Sequence, residues 1–240
     1  MAASCSAKSS KMNRLTFSLL IAATLVVAQT LDVDDIVARN IAARGGAQRL
    51  GALKSQRMTG TLSFETNPGE PFHVEMKHPG KIRQEILANH EQFTQVSDGR
   101  EGWILRPGKP PEAMSPGQVH DLDGSADLQG PLFQYKEKSH QVELAGKDSV
   151  DGRDAYKLVI TLGDRTKRTD FIDAKTFLEL KWEGVVGGQK MESYFHDYRK
   201  VNGIAYAFSI ESSGPGFKQK LVFSKIEVNV ELPDSRFTKP

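Results

Sequence analysis

The sequence predicts a mainly β protein of the α+β class, with one curved, open antiparallel sheet of about eleven strands covered by a few short helices. Stretches rich in β-branched and aromatic residues recur at near-regular spacing. Turns of two to five residues, marked by Gly, Pro and Asn, join these stretches. Within these stretches, large apolar residues alternate with small or polar ones, so the large apolar side chains share one face of the sheet. A twisted sheet of this width curls, so we expect a half-barrel whose apolar face forms a trough.

Residues 1–28 have the pattern of a secretory signal peptide. Three basic residues precede an uncharged apolar run over residues 15–27, and small residues at positions 26–28 offer a cleavage site after Ala28. The run is shorter than the roughly 20 residues of a membrane span, although an uncleaved anchor or a buried strand is the alternative. Met12 is an alternative start. We therefore expect export to the periplasm and a single domain over residues 29–240.

The chain that follows this cleavage has no cysteine and almost no net charge. Cys5, the only cysteine, precedes the apolar run, so the mature chain is expected to hold neither a disulfide nor a lipid anchor. The leader carries three of the 32 lysines and arginines, which leaves 29 of them against 30 acidic residues. With no basic face, nucleic acid is not an expected partner, and a monomer is expected.

The mature chain begins with a predicted helix over Asp32–Arg44. Aspartates crowd its start, where the helix dipole favours anions, and Gly45 follows its end. The apolar stripe at helical spacing on this helix consists of Val33, Ile36, Val37 and Ile41. A second short helix is expected over Ala47–Leu53. Because the stripe must pack on an apolar surface, the first helix is predicted to lie over the trough.

Two groups of strands follow these helices. The first group covers residues 56–66, 72–78, 81–87, 92–97 and 103–105, and the second covers residues 140–145, 156–162, 165–172, 177–183, 189–198, 204–211 and 217–230. Between the groups, residues 106–124 are rich in proline and glycine and are predicted as a loop. Ser125–Lys138 is predicted as a helix, with Pro131 near its start and Leu128, Leu132 and Tyr135 on one side.

The second group of strands indicates which side chains fill the trough. In Ile204–Ile210 the even positions are large and the odd positions are alanine or serine, so the large side chains share one face. The candidate ligand-binding residues chosen by this alternation are Leu158, Ile160, Leu178, Leu180, Trp182, Ile204, Tyr206, Phe208 and Ile210. The candidate lid residues, taken from the two predicted helices that cover the trough, are Val33, Ile36, Val37, Ile41, Leu128, Leu132 and Tyr135.

No pattern in the sequence indicates catalytic or metal chemistry. Asp121–Asp127 resembles the start of a calcium loop, but Leu132 stands where the bidentate glutamate is needed. The six histidines lack the spacing of a zinc site, and there is no Gly-x-Ser-x-Gly elbow. Two carboxylate pairs, Asp170/Asp173 and Glu179/Glu183, are typical of exposed strand faces. We therefore expect no catalytic residue, metal or cofactor. A hydrolase whose site assembles only in space is an alternative.

Several short patterns occur in a fixed order along nearly all of the mature chain. They are Gly45-Gly46 with Leu50 and Leu53–Ser55, Pro79–Arg83, Asp98-Gly99 with Trp103, Gly130–Leu132, Gly152 with Ala155–Leu158, Phe171–Thr176, Asp197–Arg199 with Gly203, and the closing Phe237 and Pro240. Together they resemble the LolA-like, or outer-membrane lipoprotein-sorting, proteins, a family of periplasmic lipoprotein carriers.

The resemblance implies an open, curved antiparallel sheet that helices close over an apolar cavity for acyl chains. It implies a soluble, non-enzymatic carrier of lipid or lipoprotein acyl chains without a cofactor, with envelope proteins as donor or acceptor of the cargo. A carrier of this kind would move its cargo toward the outer membrane. The alternative is a non-enzymatic envelope sensor or scaffold that uses the same fold to bind a protein partner.

Overall fold

A computed structural model of the protein describes Met1 and residues 31–65, 67–88 and 91–239. Apart from Met1, the predicted leader and its cleavage site after Ala28 lie outside these residues. Leu31–Pro240 form one compact unit. Within the described residues, no helix is long and apolar enough to cross a membrane.

The described chain folds into one antiparallel sheet of 13 strands, which confirms the predicted fold class. The strands are β1 Ser55–Phe64, β2 Asn67–Lys77, β3 Lys81–Ala88, β4 Glu91–Ser97, β5 Gly102–Leu105, β6 Glu112–Ala113, β7 Gln141–Val150, β8 Arg153–Thr161, β9 Lys167–Asp173, β10 Glu179–Val186, β11 Gln189–Val201, β12 Ile204–Gly214 and β13 Phe217–Val228. The helices are α1 Val33–Arg44, α2 Ala47–Gly51 and α3 Pro116–Asp123, with a 3-10 turn at Asp234–Arg236.

The order of strands across the sheet is β6-β5-β4-β3-β2-β1-β13-β12-β11-β10-β9-β8-β7. Every neighbouring pair except one joins strands that are consecutive in sequence. The exception is β1 with β13, where Gln56 lies opposite Val228 and joins the two halves of the sheet. The sheet is open, and β6 and β7 are its two edges. The residues between them, 114–140, must therefore pass from one edge of the sheet to the other; we call this segment the cover.

The face of the sheet that the cover crosses, here called the inner face, holds the main hydrophobic core. Met58 on β1 pairs with Val74 on β2 and Ile226 on β13, so three strands present apolar side chains at one level. The Phe72 and Phe223 rings lie beside them with centroids 6.3 Å apart. Side chains from the cover complete this cluster, namely Val119, Leu122, Ala126, Leu128 and Phe133. The apolar face predicted by alternation is thus buried by the chain's own crossover.

Helix α1 forms where it was predicted and packs over the second half of the sheet. Asp32 caps it, since its side chain accepts a hydrogen bond from the Asp35 amide at 2.8 Å. Ile36 and Val37 are buried against Leu158 and Ile160 of β8. The helix ends at Gly45, whose φ of 128° a residue with a side chain rarely adopts. A Cβ there would also lie 2.5 Å from the Gly203 carbonyl oxygen, so the close approach of α1 to the sheet requires glycine.

The helix predicted over Ser125–Lys138 is absent, and the segment is a series of turns. Gln134 adopts a left-handed φ of 50°, which stops a right-handed helix after one turn. Lys138 Nζ donates to the carboxylate of Asp127 at 2.7 Å and to the carbonyl of Gly130 at 2.9 Å, which ties the two ends of the segment together. Long-range packing and local ion pairing therefore decide this conformation, although the apolar spacing resembles that of a helix.

The loop predicted over residues 106–124 contains β6 and α3 instead. Ser115 caps α3, and its side chain and that of Gln118 each receive a hydrogen bond from the other residue's backbone. Pro116 occupies the first turn, where the missing N–H is harmless. The Ser-x-x-Gln capping box with a proline inside it is a helix-start signal that the high proline content obscured.

The outer face of the first strands is covered by the tail, residues 229–239. Leu232 and Phe237 pack against Val96 and Trp103, and Phe237 is completely buried. Beside them the Arg236 guanidinium pairs with the Glu75 carboxylate, which also accepts from Arg57. These contacts lower the pKa of Glu75 although burial opposes them. The tail therefore anchors the first half of the sheet from behind.

We predict that Phe237→Ala lowers the free energy of unfolding by about 3–5 kcal/mol, since it empties a fully buried aromatic site. Phe64→Ala on β1 is the control, because that ring is 39% exposed and its loss should change stability by less than about 1 kcal/mol. Urea-induced unfolding followed by circular dichroism measures both. Equal effects would show that the tail does not stabilise the sheet.

Candidate functional site

A cavity of about 250 Å³ lies between the inner face and the cover. Its wall is drawn from α1, from residues 125–132 of the cover and from strands of both halves of the sheet. Part of the wall is apolar. The side chains that form this part include Met58, Met76, Phe195, Ile210 and Phe223 from the sheet and Leu128 from the cover. The cavity is therefore a continuation of the hydrophobic core rather than a surface groove.

The other part of the wall is charged and includes Asp170 and Glu179, which Arg168 joins from behind the wall. On β9, Arg168 and Asp170 are two residues apart and so lie on the same face. Arg168 donates through Nε to Asp170 Oδ1 at 2.6 Å and through Nη2 to Glu179 Oε1 at 2.8 Å. Asp170 and Glu179 both border the cavity. One guanidinium thus holds two carboxyl groups together inside the trough, as planar arginine donors do.

The two carboxyl groups do not both ionise at neutral pH. Burial and the neighbouring Asp170 raise the pKa of Glu179 to about 8, although Arg168 and Arg44 oppose the rise. Burial also raises the pKa of Asp170. The pair therefore retains a proton near pH 7, which reduces the negative charge beneath the cover.

Arg44, the last residue of α1, connects the charged wall to the cover. Its Nη1 donates to the Gln129 carbonyl at 2.5 Å. Gly130 lies against the same nitrogen. It has a φ of 78°, and a Cβ at this position would lie only 3.1 Å from Arg44 Nη1, so the contact favours glycine. Arg44 borders the cavity, and its positive charge acts to lower the pKa values of Glu179 and Tyr198. The Tyr198 hydroxyl donates to the backbone carbonyl of Glu179 at 2.8 Å, which fixes this part of β10 against β11.

Three polar atoms on the cavity wall have no hydrogen-bond partner among the described residues. They are Asn40 Oδ1, Gln56 Nε2 and Tyr206 Oη. Asn40 and Gln56 are 2% and 1% exposed, and burial raises the pKa of Tyr206 to about 12. Buried polar groups are nearly always partnered in folded proteins, since leaving one unpaired costs about 1–3 kcal/mol. Their location on one cavity makes this cavity the candidate binding site.

A larger groove, of about 630 Å³, lies at the ends of strands β8–β12, away from the cover. Lys167, Glu183, Lys190 and Glu192 border it, and Val185 beside them is 52% exposed. This groove is lined by charged side chains together with Val159, Val185 and Met191, and it is not bordered by any residue of the cover. We therefore place the candidate site in the smaller cavity beneath the cover.

The sequence-predicted ligand-binding residues do not all lie in one place. Tyr206 and Ile210 border the cavity. The side chains packed in the hydrophobic clusters around it are Leu158, Ile160, Ile204 and Phe208. Leu180 lies instead in a cluster with Val150 and Phe171, because a register shift between Glu179 and Lys181 turns it away from its predicted neighbours. Leu178 precedes β10, and Trp182 lies under the Arg168 guanidinium, 5.0 Å from its ring centroid.

The predicted lid residues are also divided. Leu128 and Leu132 border the cavity. The α1 residues Ile36 and Val37 are buried against β8, and Val33 and Ile41 are partly buried beside them. Tyr135 packs at the edge of the same cluster, and its hydroxyl donates to Asp34 at 2.6 Å. The contact between α1 and the cover is thus made by Asp34 at one end of the helix and by Arg44 at the other.

The charged wall departs from the sequence prediction, which placed Asp170 and Glu179 in separate carboxylate pairs on exposed faces. Asp170 is 1% exposed, and Arg168 joins it to Glu179. The prediction was wrong for Asp170 because a guanidinium two residues away neutralises it on the inner face. The Arg-x-Asp spacing within a strand was the available signal, since it puts opposite charges on one face.

Comparison with known proteins gives likeness of fold. No protein-family model matches the chain, and no curated protein matches it. A DUF1329 family protein from Desulfovibrio piger matches with a TM-score of 0.61 and 15% identity, covering 87% of this chain and 98% of that one. A LolA superfamily protein from Nitrosomonas europaea matches with a TM-score of 0.57 and 18% identity, over 88% and 99% of the two chains. A domain described as an outer membrane lipoprotein-sorting protein, from Vibrio parahaemolyticus, matches with a TM-score of 0.57 and 15% identity, over 85% and 95%.

We predict that Glu179→Gln reduces the pH dependence of stability between pH 5 and 9. The folded-state pKa of Glu179 lies above its ordinary 4.5, so its stabilising contribution is complete below that value and is lost as pH rises through about 8. The glutamine stays neutral throughout. Thermal unfolding should therefore show wild type losing a few degrees of Tm relative to Glu179→Gln as pH rises.

Glu183→Gln on the same strand is the control, because its carboxylate is 45% exposed and pairs with Lys181 away from the cavity. Its melting temperature should follow that of wild type across the pH range. Parallel curves for wild type and Glu179→Gln would contradict the buried, protonated state of Glu179.

Proposed function

We propose that this chain, which has a LolA-like fold, is a non-enzymatic carrier of lipids, with lipoprotein acyl chains among its cargo. It acts in the periplasm and carries its cargo toward the outer membrane. The observation that carries this proposal is the partly apolar cavity that lies between the inner face and the cover.

The apolar wall supplies the driving force for binding. Each methylene of an acyl chain that moves from water onto such a wall contributes about 0.8 kcal/mol. Met58 and Met76 suit varied cargo, since their flexible thioethers adapt to the shape of a chain. Chains of different structure can therefore bind without a dedicated contact for each atom.

The cover is built so that cargo can enter with little disruption of the sheet. It consists of α3 and the turns between α3 and β7, and none of its described residues pairs with the sheet as a strand. Its polar ties to α1 are the Arg44–Gln129 contact and the pairing of Asp34 with Tyr135 and Lys136. The Asp34 pairs are exposed and contribute little to stability, so separating these polar contacts is less costly than breaking the strand pairing of the sheet.

The charged wall supports a non-enzymatic role. The Asp170 and Glu179 carboxyl groups each accept a hydrogen bond from Arg168, so one oxygen of each is engaged within the protein. Such a triad fixes the strands and sets the charge of the cavity. Paired carboxyl groups of a glycosidase instead face the substrate from either side of the scissile bond.

We predict that Ile210→Asp abolishes the binding of a fluorescent fatty acid, because a carboxylate on the cavity wall is unfavourable next to an acyl chain. Ser209→Asp is the matched control. Ser209 pairs with Val222, which is 40% exposed on the outer face, so binding should remain near normal. Fluorescence titration of both proteins, each shown to be folded by circular dichroism, makes the comparison.

Two outcomes contradict the carrier. One is normal binding by a folded Ile210→Asp protein. The other is failure of the wild-type chain to bind any fatty acid or phospholipid, with no lipid found by mass spectrometry of organic extracts of the natively purified protein. A stable protein complex without lipid would then favour the sensor or scaffold role.

Export is tested separately. We predict that the protein from the envelope fraction begins at Gln29, since the sequence places cleavage after Ala28. N-terminal sequencing measures this directly. An intact leader on a membrane-bound form would contradict a soluble periplasmic carrier.

A further inference from the structure

Among the buried polar atoms of the cavity wall that have no partner within the described residues, donors outnumber acceptors. Arg44 uses Nη1 for the Gln129 carbonyl and retains other N–H groups. Two donors, Gln56 Nε2 and the Tyr206 hydroxyl, have no hydrogen-bond partner within the described chain. Asn40 Oδ1 is the one pure acceptor among these buried atoms without a partner. A group that accepts several hydrogen bonds at once matches this wall better than a hydroxyl, which supplies a donor of its own.

These donors are held in place by the fold. Gln56 is 1% exposed and lies on β1 at the seam with β13. Tyr206 lies on β12, and the positive charge of Arg44 is near enough to lower the pKa of this tyrosine against the effect of burial. Arg44 is fixed at the end of α1 by Gly45. A ligand therefore meets donors that are already oriented and desolvated, which reduces the cost of binding.

The charge balance beneath the cover favours an anion. Arg168 is neutralised by Asp170, and Asp127, which also borders the cavity, pairs with Lys138 at 2.7 Å. Asp170 and Glu179 together retain a proton near neutral pH, because burial raises the pKa of both carboxyl groups. Arg44 has no ion pair within the part of the chain that the structure describes. A ligand with one negative charge therefore neutralises the cavity.

The size of the cavity limits how much apolar chain a ligand with this charge can carry into it. A volume of about 250 Å³ is just below the range of roughly 300–1,000 Å³ for pockets that hold drug-sized ligands. It accommodates one head group with the first part of one chain, and a longer chain follows the apolar wall toward the cover. This volume favours a ligand with one chain over a ligand with several.

We propose that the preferred cargo is a single-chain amphiphile with a carboxylate head, and that Arg44, Gln56 and Tyr206 bind this carboxylate at the inner end of the cavity. The inference rests on the proposed carrier function and names its ligand class. Arginine is the side chain best suited to a carboxylate, since its planar donors match the two oxygens. The head group therefore enters first, and the chain lies beneath the cover.

The test compares three probes on delipidated full-length protein at pH 7 by isothermal titration calorimetry. Dodecanoate and dodecan-1-ol have the same chain and differ in the head group, and a diacyl phosphatidylcholine adds a second chain. Hydrogen bonds to a charged group make dodecanoate bind at least about tenfold more tightly than dodecan-1-ol. The affinity for dodecanoate should exceed the affinity for the diacyl lipid by a similar factor.

Two variants assign the preference to the named residues. Arg44→Met should weaken dodecanoate binding about tenfold or more and leave dodecan-1-ol binding unchanged within about twofold. Tyr206→Phe removes one oxygen without changing the shape of the side chain, so it folds and should weaken dodecanoate binding about fivefold. The controls are Arg39→Met, also on α1, whose guanidinium lies over the Phe177 ring, and Tyr194→Phe, whose hydroxyl donates to Glu192.

The outcomes separate this inference from the carrier function. Equal binding of dodecanoate and dodecan-1-ol overturns the carboxylate site while the carrier stands. The carboxylate site is also overturned if both Arg44→Met and Tyr206→Phe still bind dodecanoate more tightly than dodecan-1-ol. Tighter binding of the diacyl lipid than of dodecanoate overturns the single-chain assignment. Failure of all three probes to bind removes the carrier function itself.

Discussion

The cover exists because the two strands it connects lie at opposite edges of the sheet. After β6 the chain must travel the full width of the inner face before β7 can begin. That face carries the large side chains of both halves, so the crossing segment buries apolar area wherever it passes and needs no regular structure of its own. The cavity is the space that turns, unlike a helix, leave unfilled. Its position therefore follows from the order of the strands.

The interior is divided into an apolar and a charged part, and both follow from the same sheet. Apolar side chains come from strands near the β1–β13 seam, whereas Arg168, Asp170 and Glu179 come from β9 and β10. A buried triad of this kind is seldom the most stabilising choice for a core, because removing charges from water costs more than hydrophobic packing. It lies beside unpartnered polar groups, so polar side chains occupy a large share of this part of the interior.

The sequence predicted those features that depend on local periodicity. Alternation identified the strands, and the acidic start before Gly45 identified α1. Prediction from the sequence failed where contacts between distant residues determine the conformation. Residues 125–138 have apolar spacing that suits a helix, yet Gln134 is left-handed and Lys138 ties the segment to Asp127. The joining of Asp170 to Glu179 also could not be predicted, because it depends on the register of β9 with β10 and on the irregularity at Leu180. The donors on the cavity wall come from three separate elements, so no spacing of residues in the sequence could predict that they lie together.

The single pairing of β1 with β13 has a consequence for how the molecule assembles. All other strand neighbours are consecutive in sequence, so β1–β6 and β7–β13 are two meanders that each form through short-range contacts. Such contacts close small loops at low entropic cost, whereas the pairing of Gln56 with Val228 must close nearly the whole chain between them. The non-local part of the folding barrier is therefore concentrated in one seam. The Gln56 side chain on that seam borders the cavity, so the ligand pocket is completed only when the two meanders join.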